Sequence, residues 1–312
     1  MVDVNRVAET DFGRAESEGT SGLAHFAAAH GARAAKIVLA LALAVAAFFG
    51  STAYFQTDEA EQARGQLSLY TRSLTAEIER FSHLPSVLAL DPFVIRAAQG
   101  ADRDVLNARL AVVANNAGLD AIYLMDRGGN TVAASNFNLP TSFLGQNYNF
   151  RPYFQVALAG QQGTFFGIGA TTSLPGYFIA NPVMGPTGDV AGVIAIKINL
   201  GVLEQSWSES GAHVLVADEN GVVVLTSAPE WRYQLLTPLQ DDQRQAITQT
   251  RQFGDEPLSL LDWSIEGNSR ARLADMTFIH LADETLPHGW TLHLFTDLRP
   301  AIVKSWLTVL IL

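Results

Sequence analysis

Residues 146–197 read QNYNFRPYFQVALAGQQGTFFGIGATTSLPGYFIANPVMGPTGDVAGVIAIK, and the rest of the chain is organised around them. Arg151 stands directly before Pro152, and an apolar-periodic run follows (Tyr153, Phe154, Val156, Ala157). Proline is favoured at the first helical position, because its missing N–H costs nothing there. Arg151 is therefore expected at a helix N-terminus, where free N–H groups and the helix dipole favour an anion. Further on, Val193 to Leu200 alternates as a strand does. Ile194, Ile196, Ile198 and Leu200 take one face; Val193, Ala195, Lys197 and Asn199 take the other. Between them lies Thr171-Thr172-Ser173, whose first and third hydroxyls share a face if the segment is extended. A guanidinium, an ammonium and several hydroxyls converging on one pocket make a receptor for a small carboxylate.

The chain of 312 residues has a formal net charge of −11 and a pI near 5.0. That is too acidic for a general nucleic-acid binder, whose affinity comes largely from neutralising phosphates. A hydrophobic content of 48% is ample for real cores in one large or two small domains. With no cysteine, neither disulfides nor a thiolate metal site is available. Lysine occurs only at 36, 197 and 304, so Lys197 is the one lysine between the two apolar ends. A lysine buried among Ile and Ala without a partner is costly. Its alternative is a strand lysine with its tip in water.

Residues 1–33 are polar, rich in Ala, Gly and Glu, and without sustained periodicity, as expected of a disordered cytoplasmic tail. Ile37 to Phe55 is uncharged and almost wholly apolar, long enough to cross a bilayer, and residues 34–56 are read as a first transmembrane helix. Arg33 and Lys36 precede it, and Asp58, Glu59 and Glu61 follow. The positive-inside rule thus leaves the N-terminus in the cytoplasm and the bulk of the chain outside. A cleaved signal peptide is the competing reading. Ala60, Ala63, Leu67, Tyr70, Leu74, Ile78 and Phe81 then recur in steps of three and four. This predicts a long stalk helix, apolar along one seam, that packs on its own domain or forms a dimer. Leu84-Pro85 and Asp91-Pro92 are breaks, and Asp102 to Ala117 reads as another helix closed by Gly118. Residues 57–118 form this stalk and helical connection. Ala301 to Leu312 opens like a second transmembrane helix that twelve residues cannot complete.

Between these ends, one small α+β unit occurs twice, over 119–203 and 204–298. Ala121 to Val132 and His213 to Val224 each read as strand, tight turn and returning strand. Asp126 matches Asp218, Gly129 matches Gly221 and Ser135 matches Ser227, as expected of tandem related modules. Gly192–Leu200 and Gly289–Leu298 also correspond. The copies differ where chemistry would sit. The second has no arginine equivalent to Arg151 in its helical stretch Gln240–Arg251, and Leu294 stands near the position of Lys197.

Three segments carry a family resemblance: Tyr123-Leu-Met-Asp-Arg running to Ser135-Asn136, then Gly145-Gln-Asn-Tyr148-x-Phe-Arg-Pro-Tyr-Phe154, then Thr171-Thr-Ser173 with Gly176-Tyr-Phe178. Over about Thr57 to Leu298 the sequence resembles the periplasmic sensor region of C4-dicarboxylate sensor histidine kinases of the DctB type. The resemblance implies an α+β fold with two tandem PAS-like (double Cache) antiparallel-sheet modules. A long N-terminal helix carries them, and transmembrane helices flank them. It implies a dicarboxylate such as succinate, fumarate or malate in the membrane-distal module. By motif, Tyr148, Arg151 and Tyr153 fall on the ligand-binding block, Thr171 and Ser173 on its hydroxyl segment, and Lys197 on its closing strand. Phe137 departs from the tryptophan expected after Ser-Asn, and Leu174-Pro175 is less polar than the family pattern.

The residues suit that ligand. A diacid needs two anion sites; Arg151 holds one carboxylate through paired hydrogen bonds, while Lys197 and the hydroxyls hold the other. Tyr148 and Tyr153 supply apolar walls and phenol donors. Taken singly, each has a plainer reading: a surface ion pair for Arg151, ordinary strand or turn residues for Thr171 and Ser173, core aromatics for the tyrosines. Ligand binding is expected to draw the 171–178 segment toward Arg151 and Lys197. The expected partners are the diacid, the bacterial inner membrane, a second copy through the stalk, and a response regulator for the whole protein. No cofactor is expected in this chain, while ATP and Mg are expected for a kinase domain beyond residue 312. A chemoreceptor or cyclase with the same ectodomain is the alternative. No G-x-S-x-G, H-E-x-x-H or P-loop pattern supports a hydrolase.

Overall fold

The computed structural model describes residues 9–267 and 269–311, with side chains from residue 35 onward except that of residue 301. The chain divides into two units, Glu61–Asp297 and the pair of segments Met1–Ala60 and Leu298–Leu312.

In the larger unit, five strands form one antiparallel sheet in the order β2-β1-β5-β4-β3: β1 Ala121–Asp126, β2 Thr131–Ala134, β3 Gly163–Ile168, β4 Pro175–Met184 and β5 Val190–Ile198. A second sheet has the order β7-β6-β11-β10-β9-β8, built from β6 His213–Ala217, β7 Val223–Thr226, β8 Trp263–Ile265, β9 Arg270–Leu273, β10 Met276–Asp283 and β11 Thr291–Asp297. The fold is thus α+β with two antiparallel modules.

The duplication extends to individual hydrogen bonds. Ile122 N–H donates to the Ser135 hydroxyl at 2.9 Å, and Val214 N–H donates to that of Ser227 at 3.0 Å. Asp126 Oδ1 accepts from the amides of Gly128 and Asn130; Asp218 Oδ1 accepts from those of Asn220 and Val222. Both turns need a positive φ two residues before the return strand, and Gly129 (82°) and Gly221 (76°) supply it without a Cβ penalty.

Period-two alternation sorts each strand's side chains between two cores. Ile122, Leu124, Ile194, Ile196 and Ile198 join a core shared with the helices α2 Leu84–Ala89, α3 Pro92–Ala98 and α4 Arg103–Ala117. Tyr123, Phe178, Val193 and Ala195 face the other way, under the helix α5 Pro152–Leu158 and the loop before it. The helix α3 begins where Asp91 accepts from Phe93 N–H at 2.7 Å, the cap that an Asp-Pro pair favours.

The helix α1 spans Glu9–Ser82. It therefore includes residues 9–33, where sequence alone suggests a tail; residues 1–8 of that tail lie outside the described residues. No proline interrupts residues 9–82, and alanine dominates much of the run, so nothing local stops the helix. From Ala35, it is the one helix among the described residues long and apolar enough to cross a membrane. In the smaller unit, α8 Arg299–Ile311 contains the shorter apolar stretch Ile302–Ile311, and Lys304 pairs with Glu59 at 2.7 Å.

Candidate functional site

Arg151 is the N-cap residue of α5, with Pro152 opening the helix. Its own backbone is extended, and the side chain turns inward until only 1% of the residue is exposed. The guanidinium meets no carboxylate among the described residues. Its Nη1 donates to the main-chain oxygens of Thr250 (3.0 Å) and Arg251 (3.1 Å), and its Nη2 donates to that of Ile168 (2.6 Å). Hydrogen bonds to a charged group are worth roughly 1.5–3 kcal/mol each. Three of them offset a desolvation cost of several kcal/mol. Burial still holds the guanidinium below its ordinary pKa, with the nearby phenols acting in the opposite direction.

On its inner side Arg151 borders a small cavity walled by Tyr123, Phe143, Tyr148, Tyr153, Thr171 and Phe178. About 10 Å³ of it is open, room for the centre of a single water molecule. The phenols are ordered in pairs. Tyr123 donates to the Tyr153 oxygen at 2.7 Å, and the Tyr148 and Thr171 hydroxyls lie 2.6 Å apart. Tyr153 stacks on Phe178, with ring centroids 5.2 Å apart and planes 7° from parallel. Burial raises the pKa of all three tyrosines, so each keeps its proton at neutral pH; that of Tyr123 goes to Tyr153, which leaves Tyr148 and Tyr153 to donate to an anion.

Lys197 lies on the same sheet face, paired across β5 with Ala121 on one side and Phe178 on the other. It too is 1% exposed. Its ammonium does not border the cavity. It pairs with Asp120 Oδ2 at 3.1 Å and donates to Thr172 Oγ1 at 3.4 Å. The strand lysine with a wet tip is therefore not what the structure contains.

The 171–173 segment is a turn, not the extended run that would put Thr171 and Ser173 on one face. It closes the β3–β4 hairpin, where Ile168 faces Pro175, Ser173 N–H donates to Gly169 O and Gly169 N–H donates to Leu174 O. Turning rather than extending sends the three hydroxyls to three places. Thr171 reaches Tyr148, Thr172 reaches Lys197, and Ser173, with φ at 53°, lines an open cleft of about 810 Å³ beside Arg151, Arg244 and Arg251. Tyr148, Arg151, Tyr153 and Thr171 thus come together, and Lys197 joins them only through the turn. In the segment expected to move toward Arg151 and Lys197, Thr172 already meets Lys197, and Thr171 lines the cavity that Arg151 borders.

Sequence reasoning missed Tyr123, Thr172 and Asp120. Tyr123 had a signal, since it alternates with Ala121 on the face that Lys197 shares.

In the second module, the register pairs His213 with Phe295 as Ala121 pairs with Lys197. Phe295 rather than Leu294 is thus the equivalent of the lysine, because Leu294 belongs to the opposite core. Trp231, Trp263, Phe278 and Phe295 fill the corresponding face.

The family described as dCache_1, Cache domain, matches residues 51–298. The chain is 38% identical over 230 residues to the C4-dicarboxylate transport sensor protein DctB of Rhizobium meliloti, covering 73% of this chain and 37% of that protein. It is 31% identical over 284 residues to the protein of the same name from Pseudomonas aeruginosa, covering 88% and 44%. The chain thus spans less than half the length of these curated relatives. The crystal structure of the V. cholerae histidine kinase DctB sensor domain superposes with a TM-score of 0.70 at 28% identity, covering 78% of this chain and 98% of that one.

Proposed function

The chain belongs to the Cache-domain family, and from that premise we propose that it is the extracytoplasmic sensor region of a membrane-bound histidine kinase that binds C4-dicarboxylates. One observation carries the reading: a fully buried guanidinium with no carboxylate partner among the described residues borders a cavity rimmed by three protonated phenols. The named DctB relatives support the choice of a C4 diacid.

In this reading Arg151, Tyr148, Tyr153 and Thr171 take one carboxylate. Lys197 takes the other, with Thr172 as its immediate partner and Ser173 at the mouth. The cavity is far too small for a diacid as it stands, so admission requires the turn 169–174 to swing out and close again. Tyr123 acts through Tyr153, fixing its hydroxyl. A ligand biases two such states only by its differential affinity for them.

The remaining organisation follows from the same premise. Residues 34–56 cross the inner membrane with the N-terminus in the cytoplasm, 57–298 are periplasmic, and a second crossing begins at 301. The distal module is 119–203 and the proximal module 204–298, with α1 pairing two copies. The kinase domain, with its ATP, Mg and response regulator, belongs to the part of the protein beyond this chain.

Calorimetric titration of succinate into the 312-residue chain in nanodiscs tests the reading. Arg151→Ala should weaken binding by at least about a hundredfold, the usual consequence of stripping one side from a buried charge pair. Unchanged affinity in a folded variant removes Arg151 from the site.

A further inference from the structure

We propose that the C-terminal turn of the helix α7, Asp241–Thr250 in the second module, positions Arg151 for its ligand and thereby ties occupancy of the first module to the second. The inference rests on the carboxylate reading of the cavity given above.

A guanidinium has five N–H donors in a fixed plane. Three on Arg151 go to main-chain oxygens, and two of those oxygens, on Thr250 and Arg251, end α7. The C-terminal end of a helix carries partial negative charge, so it holds a cation without neutralising it. Two donors remain for a bound carboxylate, and the plane in which they lie is set by the two carbonyls of the second module together with that of Ile168. Without those carbonyls, the long side chain would be free to sample other rotamers, and ordering it would fall to the ligand.

The turn is shaped for this contact. Arg251 closes α7 in the left-handed region, φ 50° and ψ 38°, unusual for a residue with a side chain. That conformation swings the last two carbonyls toward Arg151. The stitch continues one residue on, where Ile168 N–H donates to Gln252 O at 2.8 Å. Gly167 permits the approach, because a Cβ there would stand 2.8 Å from the same oxygen. Phe150 is flanked by both guanidinium groups, Arg251 at 4.8 Å and Arg151 at 5.1 Å from its ring centroid. By thermodynamic reciprocity, a turn that improves ligand binding is itself stabilised by the ligand to the same extent.

Two substitutions separate the carbonyls from the side chain that follows them. Arg251→Gly removes the guanidinium and keeps the left-handed backbone, whereas Arg251→Ile removes it and disfavours that backbone. Succinate affinity of the chain in nanodiscs should fall less for Arg251→Gly, which keeps the left-handed turn, than for Arg251→Ile. It should fall at least about tenfold for Arg251→Ile. In the parent chain, succinate should slow amide hydrogen exchange across residues 248–254. If Arg251→Ile does not fold, that exchange measurement decides alone. Equal affinities for the two variants, or succinate binding with exchange at 248–254 unchanged, overturns the proposal. A parent chain that takes up no succinate overturns the carboxylate reading itself, a result distinct from either.

Discussion

The side chain of Lys197 lies across Gly176: a Cβ at residue 176 would stand 2.8 Å from Lys197 Cγ and overlap its Cε. The lysine reaches Asp120 and Thr172 because Gly176, diagonal to it on β4, has no side chain. Gly176→Ala should therefore displace the ammonium without destroying the sheet. We expect succinate affinity to drop at least about tenfold while the midpoint of thermal unfolding falls by only a few degrees. Calorimetry and a melting curve on one preparation check both. Undiminished affinity would separate Lys197 from the ligand.

The Lys197–Asp120 pair joins an ammonium that is 1% exposed to a carboxylate whose side chain is 28% exposed. Removing one member of a fully buried pair costs about 3–5 kcal/mol. Asp120 is partly wet, so Asp120→Asn should cost less, roughly 1–3 kcal/mol in urea unfolding. Lys197→Met replaces the charge with an apolar side chain of similar length and should fold with nearly parental stability while losing succinate. Equal stability losses for the two variants would contradict this asymmetry.

The regular elements of this chain were legible because their signals are local. Pro152 after Arg151 marked the start of α5, Asp91-Pro92 marked that of α3, and the Gly129 and Gly221 turns exposed the duplication. The 171–173 turn was not legible, since threonine and serine suit strands and turns alike, and the β3–β4 pairing decides between them. The sequence places Leu294 only near the position of Lys197, and the true counterpart is Phe295, because matching glycines do not fix a strand's register and a shift of one residue exchanges its faces. The partners of Arg151 were out of reach for another reason. All three are main-chain oxygens, two of them about a hundred residues away, and no residue type announces such an acceptor.

Ser135 and Ser227 offer a symmetric test of the duplication. Each hydroxyl satisfies a buried amide on the neighbouring strand, that of Ile122 or Val214. Replacing either by alanine leaves the donor without its partner, at a cost of about 1–3 kcal/mol. The two substitutions, measured separately by chemical unfolding, should destabilise by similar amounts, and Ser227→Ala should leave succinate affinity unchanged. A loss confined to Ser135→Ala would mean that the second hydroxyl is not used in the same way.

The equivalent turn aspartates have diverged in environment, and that divergence should appear as a pH dependence. Burial pushes the Asp218 carboxyl up to about 7, against the pull of its amide hydrogen bonds. Its folded-state pKa lies above the unfolded value, so between about pH 4 and 7 the folded chain binds the extra proton. Stability from this group is therefore full below pH 4, falls as pH rises through that window, and is flat above it. His293 works in the opposite sense. Burial lowers it to about 3, so the unfolded chain binds the extra proton, and stability is lost as pH falls from about 6.5 toward 3. The two slopes oppose each other between about pH 4 and 6.5, and only Asp218 contributes between 6.5 and 7. Asp218→Asn keeps an oxygen for the amides of Asn220 and Val222 and removes the titration. Urea unfolding at pH 5 and pH 7.5 should show the variant gaining stability relative to the parent at the higher pH, by on the order of a few kcal/mol. A stability difference between variant and parent that is the same at both pH values would mean that Asp218 does not titrate in this range.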